Sequence, residues 1–495
     1  MSEPEPVERV VRRPRHAAGT SGTRRRSIAP IVLAVSGAAV LGWWALSGPA
    51  VDVAVGTEAS QRVATPVASA RRVPEWVTRT SAQRAATADA APTLGNLPDT
   101  SCVLLRSNGR TVVEDQPDAA VIPASNLKLL TASAAIDLLG ADTRFHTGVA
   151  AAAPLSDGVV AGDLFVIGGG DPVLSTDAYV PYEDHPRDLL TSVDVLADRI
   201  VASGVRTVTG SVVGDESRYD TVRDAPGWPS RYINDAQVSP LSALVIDDSR
   251  ATPAAIEGPK DPPAAQPALH AAEVLTRLLR QRGVTVVGTP RVGAAPAGTT
   301  EVAGIDSPTV SQLAEQLTRF SDNTTSELLV KEIGKRASGA GTTEAGTAAV
   351  ADWVRRSSLP TEVLDLADGS GLSPDNRVSC ALLVALLERA GPDSALASWL
   401  ARPGQPGTLQ DRMAGDELRD RVRAKTGSLN NVRSLSGWFT PRSGQPVAFA
   451  MVINTTASGA DRGEEVLSEQ LLRSELGFPE VPGLGDLAPR APRPA

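Results

Sequence analysis

The chain has 495 residues, of which 42% are hydrophobic and 21% charged, enough for two or three domains with substantial cores. A net charge of -9, with basic runs only near the N-terminus, argues against nucleic acid as a partner. Aromatic residues make up only 3% of the chain, so stacking surfaces for bases or sugars are not expected.

The N-terminal segment has the pattern of a membrane signal anchor. Residues 1–27 are rich in arginine, and the uncharged stretch 28–46 that follows is about long enough to cross a bilayer. The arginines predict a cytoplasmic tail, which places the rest of the chain outside the cytoplasm. The alternative is a cleaved signal peptide with a poor site at Gly48-Pro49-Ala50. We therefore expect a single-pass protein of the cell membrane, or a secreted one if the segment is cleaved.

A disordered linker is predicted next, followed by the first part of a split domain. Residues 47–92 are rich in Ala, Arg, Thr and Pro and show little periodicity, as linkers do. Within residues 93–146, apolar runs on either side of Ser107-Asn108-Gly109 predict a β-hairpin. An apolar helix is predicted from Leu127 to Leu139.

Residues 147–304 differ in texture and predict an inserted α/β module. Short strand-like runs alternate with turns, and Ala271 to Arg282 has a helical pattern. The runs include Leu164 to Ile167, Val212-Val213 and Val284 to Val287. Gly168-Gly169-Gly170 follows a strand but opens no phosphate-binding helix, so we interpret it as a turn.

Residues 305–478 are predicted to complete the split domain with helices and then strands. The helical patterns run from Val310 to Phe320, Thr325 to Lys335, Thr343 to Ser357 and Ala381 to Arg389, and the strand patterns from Arg433 to Thr440 and Val447 to Asn454. Residues 479–495, rich in Pro and Gly, predict a disordered tail.

Cys102 and Cys380 are the only cysteines. Export makes a disulfide chemically possible, but the sequence does not show whether their Cα atoms come close enough. Each lies at an apolar segment, so two buried free thiols are the favoured expectation.

Three short motifs occur in order along the chain. Each alone is a weak pattern, but the ordered set S-x-x-K, S-D-N, K-T-G is the signature of penicillin-recognising serine enzymes. Only five lysines occur in the chain, and two of them stand in these motifs. The motifs are Ser125-Asn126-Leu127-Lys128, Ser321-Asp322-Asn323 and Lys425-Thr426-Gly427.

The first motif suits nucleophilic catalysis. On a helix Ser125 and Lys128 would share one face, because residues three apart are neighbours. A buried lysine can act as the base that activates a serine hydroxyl, whereas arginine stays protonated. The backbone N–H groups of Ser125 and Ser428 can form an oxyanion hole. The structural alternative is an N-cap serine followed by a solvent-facing lysine.

The other two motifs suit proton transfer and substrate binding. Between two predicted helices, Ser321 can relay a proton and Asn323 can bind substrate and lysine. The alternative is a pair of helix caps. Lys425 and Thr426 offer a charge and a hydroxyl to a carboxylate, beside a strand edge where a substrate can lie extended. By itself, a K-T-G surface turn is also common.

Other chemistries have little support. The chain has four histidines and no G-x-S-x-G motif, which argues against a Ser-His-Asp hydrolase. It has neither H-E-x-x-H nor clustered cysteines, so no metal or cofactor is predicted.

Longer segments resemble the class C low-molecular-mass penicillin-binding proteins, the D-alanyl-D-alanine carboxypeptidase/endopeptidases of the DacB type. The resemblance covers about residues 93–478. It implies an α/β (α+β) fold, the penicillin-binding/serine β-lactamase-like transpeptidase domain, split by a large insert that recognises substrate. The segments are Pro123 to Lys128, Gly168 to Pro172, Asp215 through Pro229, Gly369 to Ser373 and Lys425 to Trp438.

The resemblance also implies a reaction and its residues. Peptidoglycan stem peptides would be the substrates and β-lactams the inhibitors, through an acyl-enzyme on Ser125 with Lys128 as base. Asp215 would contact a stem-peptide amine. The implied catalytic residues are Ser125, Lys128, Ser321 and Asn323, and the implied substrate-binding residues are Lys425, Thr426, Ser428 and Asp215.

One position departs from the family and two other functions compete. Pro374 stands where family members often have an arginine that holds a stem-peptide carboxylate, and Arg377 is a candidate substitute. A serine β-lactamase-like hydrolase is one alternative, although the long insert argues against it. A non-catalytic cell-wall-binding scaffold is the other, although every motif residue is present.

Overall fold

The computed structural model describes residues 75–179, 189–250, 262–455 and 462–478. The expected cytoplasmic tail, the signal anchor at 28–46 and the C-terminal tail at 479–495 lie outside the described residues. Within the described ranges, no helix combines the length and the apolar character needed to span a membrane.

The strands are labelled in chain order. They are β1 (Cys102–Ser107), β2 (Arg110–Asp115), β3 (His146–Ala151), β4 (Val159–Val160), β5 (Leu164–Ile167), β6 (Leu174–Ser175), β7 (Thr191–Ser192), β8 (Thr207–Val208), β9 (Val212–Asp215), β10 (Thr285–Val286), β11 (Arg291–Val292), β12 (Thr300–Asp306), β13 (Val422–Leu429), β14 (Val432–Phe439) and β15 (Val447–Asn454).

The α-helices are labelled in the same way. They are α1 (Glu75–Leu94), α2 (Lys128–Leu139), α3 (Val193–Ala202), α4 (Arg231–Asn234), α5 (Pro267–Gln281), α6 (Val310–Arg319), α7 (Asn323–Ser338), α8 (Thr343–Arg356), α9 (Cys380–Ala390), α10 (Ala395–Trp399) and α11 (Arg462–Ser474).

The first sheet is antiparallel, with the spatial order β13-β14-β15-β1-β2, and both of its faces are covered. Successive side chains of a strand point to opposite faces. On β15, Ala448 and Ala450 accordingly face one core, while Phe449 and Met451 face another. Helices α2, α6, α8 and α9 contribute to the first core, and α1 and α11 to the second.

Helix α1 corrects the linker prediction. Residues 75–92 were expected to be disordered as part of 47–92, but they are helical. Ala82, Ala86 and Ala90 are buried, and their four-residue spacing puts them on one helix face. The helix packs against β2 and α11. The helix was not predicted because, in an alanine-rich segment, a buried stripe of alanines does not stand out as a periodic pattern.

The second sheet is mixed, with the spatial order β11-β9-β5-β3-β12. Strand β9 runs parallel to β5 and β11, whereas β3 is antiparallel to β5 and to β12. The chain therefore enters this sheet along β3 and leaves along the neighbouring β12. Between this sheet, the small parallel sheet β10-β8-β4 and helices α3 and α5 lies a separate apolar core.

Cys102 and Cys380 form a disulfide, so the expectation of two free thiols is wrong. Cys102 opens β1 and Cys380 opens α9, which packs on β1 and β15. This packing brings the two Cα atoms to 5.9 Å, well within the range for a disulfide. The partners are 278 residues apart in sequence, so no local pattern could reveal the contact.

Candidate active site

The S-x-x-K motif begins in a tight turn in front of α2. Ser125 lies in a 3-10 turn, Ala124–Leu127, and the α-helix follows directly. Ala124 has a φ of +48°, a region that few non-glycine residues adopt. Two glycines let the turn pack closely. A Cβ on Gly371 would overlap the Ala124 carbonyl, and one on Gly427 would lie 3.0 Å from the Ser125 nitrogen.

Lys128 is fully buried at the centre of the site. Its Nζ donates to three oxygens: Ser125 Oγ at 3.0 Å, Asn323 Oδ1 at 2.6 Å and the Ser370 carbonyl at 2.7 Å. The first contact follows from helical spacing, whereas the second joins residues 195 apart in sequence. A lysine amine within hydrogen-bond reach of a serine hydroxyl has the geometry that a general base requires.

The S-D-N motif forms the N-terminus of α7. Its N-cap is Asp322, whose carboxylate accepts a backbone N–H of the first turn at 2.9 Å. Asn323 is the first residue of the helix, and its amide nitrogen donates to the Gln237 carbonyl at 2.6 Å. That bond directs the amide oxygen towards Lys128. Ser321 has a φ of +67°, and its hydroxyl makes no hydrogen bond within the described residues. The structure thus joins Asn323 to Lys128 by a hydrogen bond, whereas no hydrogen bond joins Ser321 to Lys128.

The K-T-G motif lies on β13, an edge strand of the first sheet. The N–H of Ala424 donates outward to the Ala401 carbonyl at 2.9 Å. Because backbone groups alternate along a strand, the N–H groups of Thr426 and Ser428 point to the same outer edge. Lys425 is fully buried and donates to the Thr426 carbonyl at 2.9 Å. Past Ala401, no described strand pairs with this edge.

A buried carboxylate beneath the loop Gly369–Ser373 was missed by the sequence analysis. Glu327, on α7, accepts the N–H of Ser370 at 2.7 Å and that of Gly369 at 3.1 Å. It is fully buried. Its position four residues after Asn323, and so on the same helix face, was the signal that could have revealed it.

A second buried carboxylate holds the other end of this loop. Asp368 accepts the N–H of Gly371 at 2.8 Å and that of Ser373 at 2.6 Å. It also accepts the indole N–H of Trp228, from the segment after β9, at 2.9 Å. Burial and the nearby charge of Asp368 raise the pKa of Glu327 to about 8, whereas its hydrogen bonds favour the ionised form.

Asp215 does not join the other predicted site residues. It ends β9 and is 5% exposed. One carboxylate oxygen accepts the N–H of Ser217 at 2.9 Å, and the other accepts that of Ala295 at 2.8 Å. No hydrogen bond links it to the three motifs. The hydrogen bond to Ser217, two residues further on, closes a typical Asx-turn, which supports a structural role.

Arg377 is also occupied by its own loop. Its guanidinium donates to the carbonyl of Pro374 at 2.6 Å and to that of Asn376 at 2.8 Å. These contacts do not support Arg377 as a substitute for the family arginine at position 374.

A serine whose hydroxyl lies against a buried lysine, beside an asparagine and an open strand edge, defines a serine–lysine acyl-transfer site. The chain belongs to the D-Ala-D-Ala carboxypeptidase 3 (S13) family, whose model matches residues 85–264 and 262–471. This result confirms the family that the motifs suggested.

Individual relatives agree with this assignment. The chain is 32% identical to the D-alanyl-D-alanine carboxypeptidase of Actinomadura sp., over 68% of this chain and 73% of that protein. It is 30% identical to a carboxypeptidase of Mycobacterium tuberculosis, over 82% of this chain and 86% of the relative. Penicillin binding protein 4 of Haemophilus influenzae superimposes with a TM-score of 0.67 at 23% identity, covering 78% of this chain and 99% of that structure. The likeness confirms the predicted fold class.

Proposed function

We propose that this protein is a serine D-Ala-D-Ala carboxypeptidase that trims peptidoglycan stem peptides through an acyl-enzyme on Ser125. The observation that carries the proposal is the buried Nζ of Lys128, 3.0 Å from Ser125 Oγ and 2.6 Å from Asn323 Oδ1. Family membership and the carboxypeptidase names of the relatives support the choice of substrate.

In the proposed reaction, Lys128 acts as a base and then as an acid. Its neutral amine takes the hydroxyl proton of Ser125, and Oγ attacks the carbonyl between the two D-Ala residues. The N–H groups of Ser125 and Ser428 receive the negative charge that develops on the carbonyl oxygen. The lysine proton then goes to the leaving amine of the terminal D-Ala. Water hydrolyses the ester in a second step and restores the serine.

The third motif supplies the substrate contacts of this proposal. A stem peptide laid along β13 would pair with the outward N–H groups of Thr426 and Ser428 and with the Ser428 carbonyl. Lys425 and the Thr426 hydroxyl would then bind the terminal carboxylate. A penicillin also presents a carboxylate and a reactive carbonyl, so it would acylate the same serine. A structure of the Haemophilus influenzae relative holds a β-lactam, which supports penicillin binding here.

Incubation with a labelled penicillin, followed by mass mapping and an assay of D-Ala release, tests the proposal. Ser125→Ala is expected to abolish labelling and to lower D-Ala release on the order of 10³-fold or more. The matched control is Ser133→Ala, on the α2 helix that follows the Ser125 turn, whose hydroxyl donates to the Leu129 carbonyl. Label on Ser125→Ala would contradict the proposal. Penicillin turnover without D-Ala release would favour a β-lactamase. If the protein neither turns over penicillin nor releases D-Ala, a non-catalytic scaffold would be favoured.

We also propose that the enzyme works outside the cytoplasm, attached by residues 28–46. The arginine-rich start and the disulfide support this, because disulfides persist in oxidising compartments. Membrane fractions should contain the intact chain, and a protease added outside the cytoplasm should reach it. Mature protein that begins near Val51 would replace the anchor by a cleaved signal peptide, and a cytoplasmic protein would overturn the proposal.

A further inference from the structure

Ser370 connects the lysine of the active site to a buried carboxylate. Its carbonyl accepts the Nζ of Lys128 at 2.7 Å, and its N–H donates to Glu327 at 2.7 Å. The base and the carboxylate thus bind opposite ends of one residue. Thr131 and Ser326 both donate to the preceding carbonyl of Gly369 at 2.7 Å, so the loop backbone is fixed from two helices.

Glu327 lies in this place without an ion pair. It is fully buried, it accepts hydrogen bonds from Ser370 and from the N–H of Gly369, and among the described residues no salt bridge reaches it. A buried carboxylate without a cation is costly, and an apolar side chain of similar size would be cheaper. The carboxylate binds the backbone N–H of Ser370, and this contact explains why a carboxylate is buried here.

We propose that Glu327 is a positioning residue for Lys128. It fixes the Ser370 backbone so that the carbonyl faces the lysine amine. In its ionised form, which its hydrogen bonds favour, its negative charge stabilises the ammonium form that arises when Ser125 gives up its proton. This inference rests on the proposed function, in which Lys128 is the base.

Other charged groups lie on the elements that carry this pair or pack against them. Asp368 lies on the same loop and interacts electrostatically with Glu327. Lys331 is one turn further along α7 and is paired with Asp220. Lys425 lies on β13, which packs against the nucleophile turn. Each of these is left in place when Glu327 alone is changed.

The test compares the pH dependence of penicillin acylation in wild type, Glu327→Gln and Glu475→Gln. Without the charge and the fixed carbonyl, the ammonium form of Lys128 is less favoured. The rising limb of the pH–rate profile should therefore move to lower pH, by about one unit. The plateau rate should fall roughly tenfold or more. Glu475, a buried carboxylate just beyond α11 whose pKa is likewise raised to about 8 by burial, serves as control, and its variant should keep the wild-type profile.

The outcomes separate this inference from the proposed function. If wild type is not acylated at Ser125, the function itself fails. If wild type is acylated but the rising limb of the Glu327→Gln pH–rate profile lies at the wild-type pH, Glu327 has only a structural role and the inference fails. Should Glu327→Gln not fold, Glu327→Asp decides. The aspartate keeps the charge but is too short to reach Ser370 as well. The acylation rate of this variant should therefore fall, while the rising limb of its pH–rate profile stays near that of wild type. A wild-type rate in this variant would overturn the inference.

Discussion

Lys128 and Lys425 are both fully buried amines, but the site uses different properties of each. Lys128 contacts the hydroxyl of Ser125 and two further oxygens, a setting for taking up and returning a proton. Lys425 instead lies beside the outer edge of β13, where a positive charge can meet a substrate carboxylate. A guanidinium keeps its proton, so arginine can imitate the second role but not the first.

Replacement of each lysine by arginine separates the two roles. Lys425→Ala should weaken acylation by penicillin and by peptide, and Lys425→Arg should recover part of the loss because charge is restored. Lys128→Arg should recover nothing relative to Lys128→Ala, because arginine cannot act as the base. Stopped-flow acylation rates with a fluorescent penicillin measure all four variants. Equal recovery by arginine at both positions would refute this division of roles.

At the scale of elements, the segment after β9 joins the second sheet to the catalytic loop. Tyr219 donates to Glu332 of α7 at 2.9 Å, and Asp220 pairs with Lys331 of the same helix. Trp228 then donates to Asp368 under the loop that carries the Ser370 carbonyl. The insert was expected to recognise substrate. That role stays a prediction, and the Trp228 contact indicates another, which is to hold the Ser370 loop in place.

Trp228→Phe tests this supporting role. Loss of a hydrogen bond to a buried carboxylate costs about 1.5–3 kcal/mol, and here the loop should loosen as well. Acylation by penicillin and hydrolysis of peptide should therefore fall in proportion. Trp353→Phe is a matched control, since Trp353 is buried and donates to Asp137 at 2.9 Å, away from the three motifs. An effect on peptide alone would mean that the segment acts through substrate recognition.

Short sequence patterns predicted individual helices and turns well, but they could not predict contacts between residues far apart in the sequence. The β1–β2 hairpin follows from Asn108 and Gly109, whose φ values of 50° and 71° suit the turn expected of Asn-Gly. The S-x-x-K spacing likewise predicted the contact between Ser125 and Lys128. The four-residue spacing from Asn323 could have placed Glu327 on the side of the site, but only the packed loop shows that it binds the N–H groups of Gly369 and Ser370. Asp215 was assigned from resemblance, and its contact with substrate stays a prediction; its carboxylate accepts the N–H groups of Ser217 and Ala295.

For the whole molecule, one covalent link ties the first sheet to its helical cover. The disulfide joins β1 to α9, on the side of the sheet whose core includes α2, the helix that begins at Lys128. A cross-link over 278 residues restricts the unfolded chain strongly, since the loop-closure entropy grows with loop length.

Reduction of this disulfide should destabilise the protein by about 2–5 kcal/mol. Thermal unfolding of wild type with and without a reducing agent measures the loss as a lower Tm. In the double variant Cys102→Ala/Cys380→Ala, the Tm should be low from the start and indifferent to the reducing agent. A wild-type Tm that does not respond to full reduction, with both thiols shown to be free, would contradict the stabilising role.

The unpaired edge of β13 carries a risk of aggregation, because the proposed substrate binding requires an open edge. A protein that takes its substrate as an added strand must leave backbone N–H and C=O groups free, and such edges also pair with other chains and lead to aggregation. Ala401 covers the edge at Ala424 but not at Thr426 or Ser428. A β-lactam bound covalently at Ser125 would shield that stretch. The acylated enzyme should therefore aggregate more slowly on storage or gentle heating than the free enzyme.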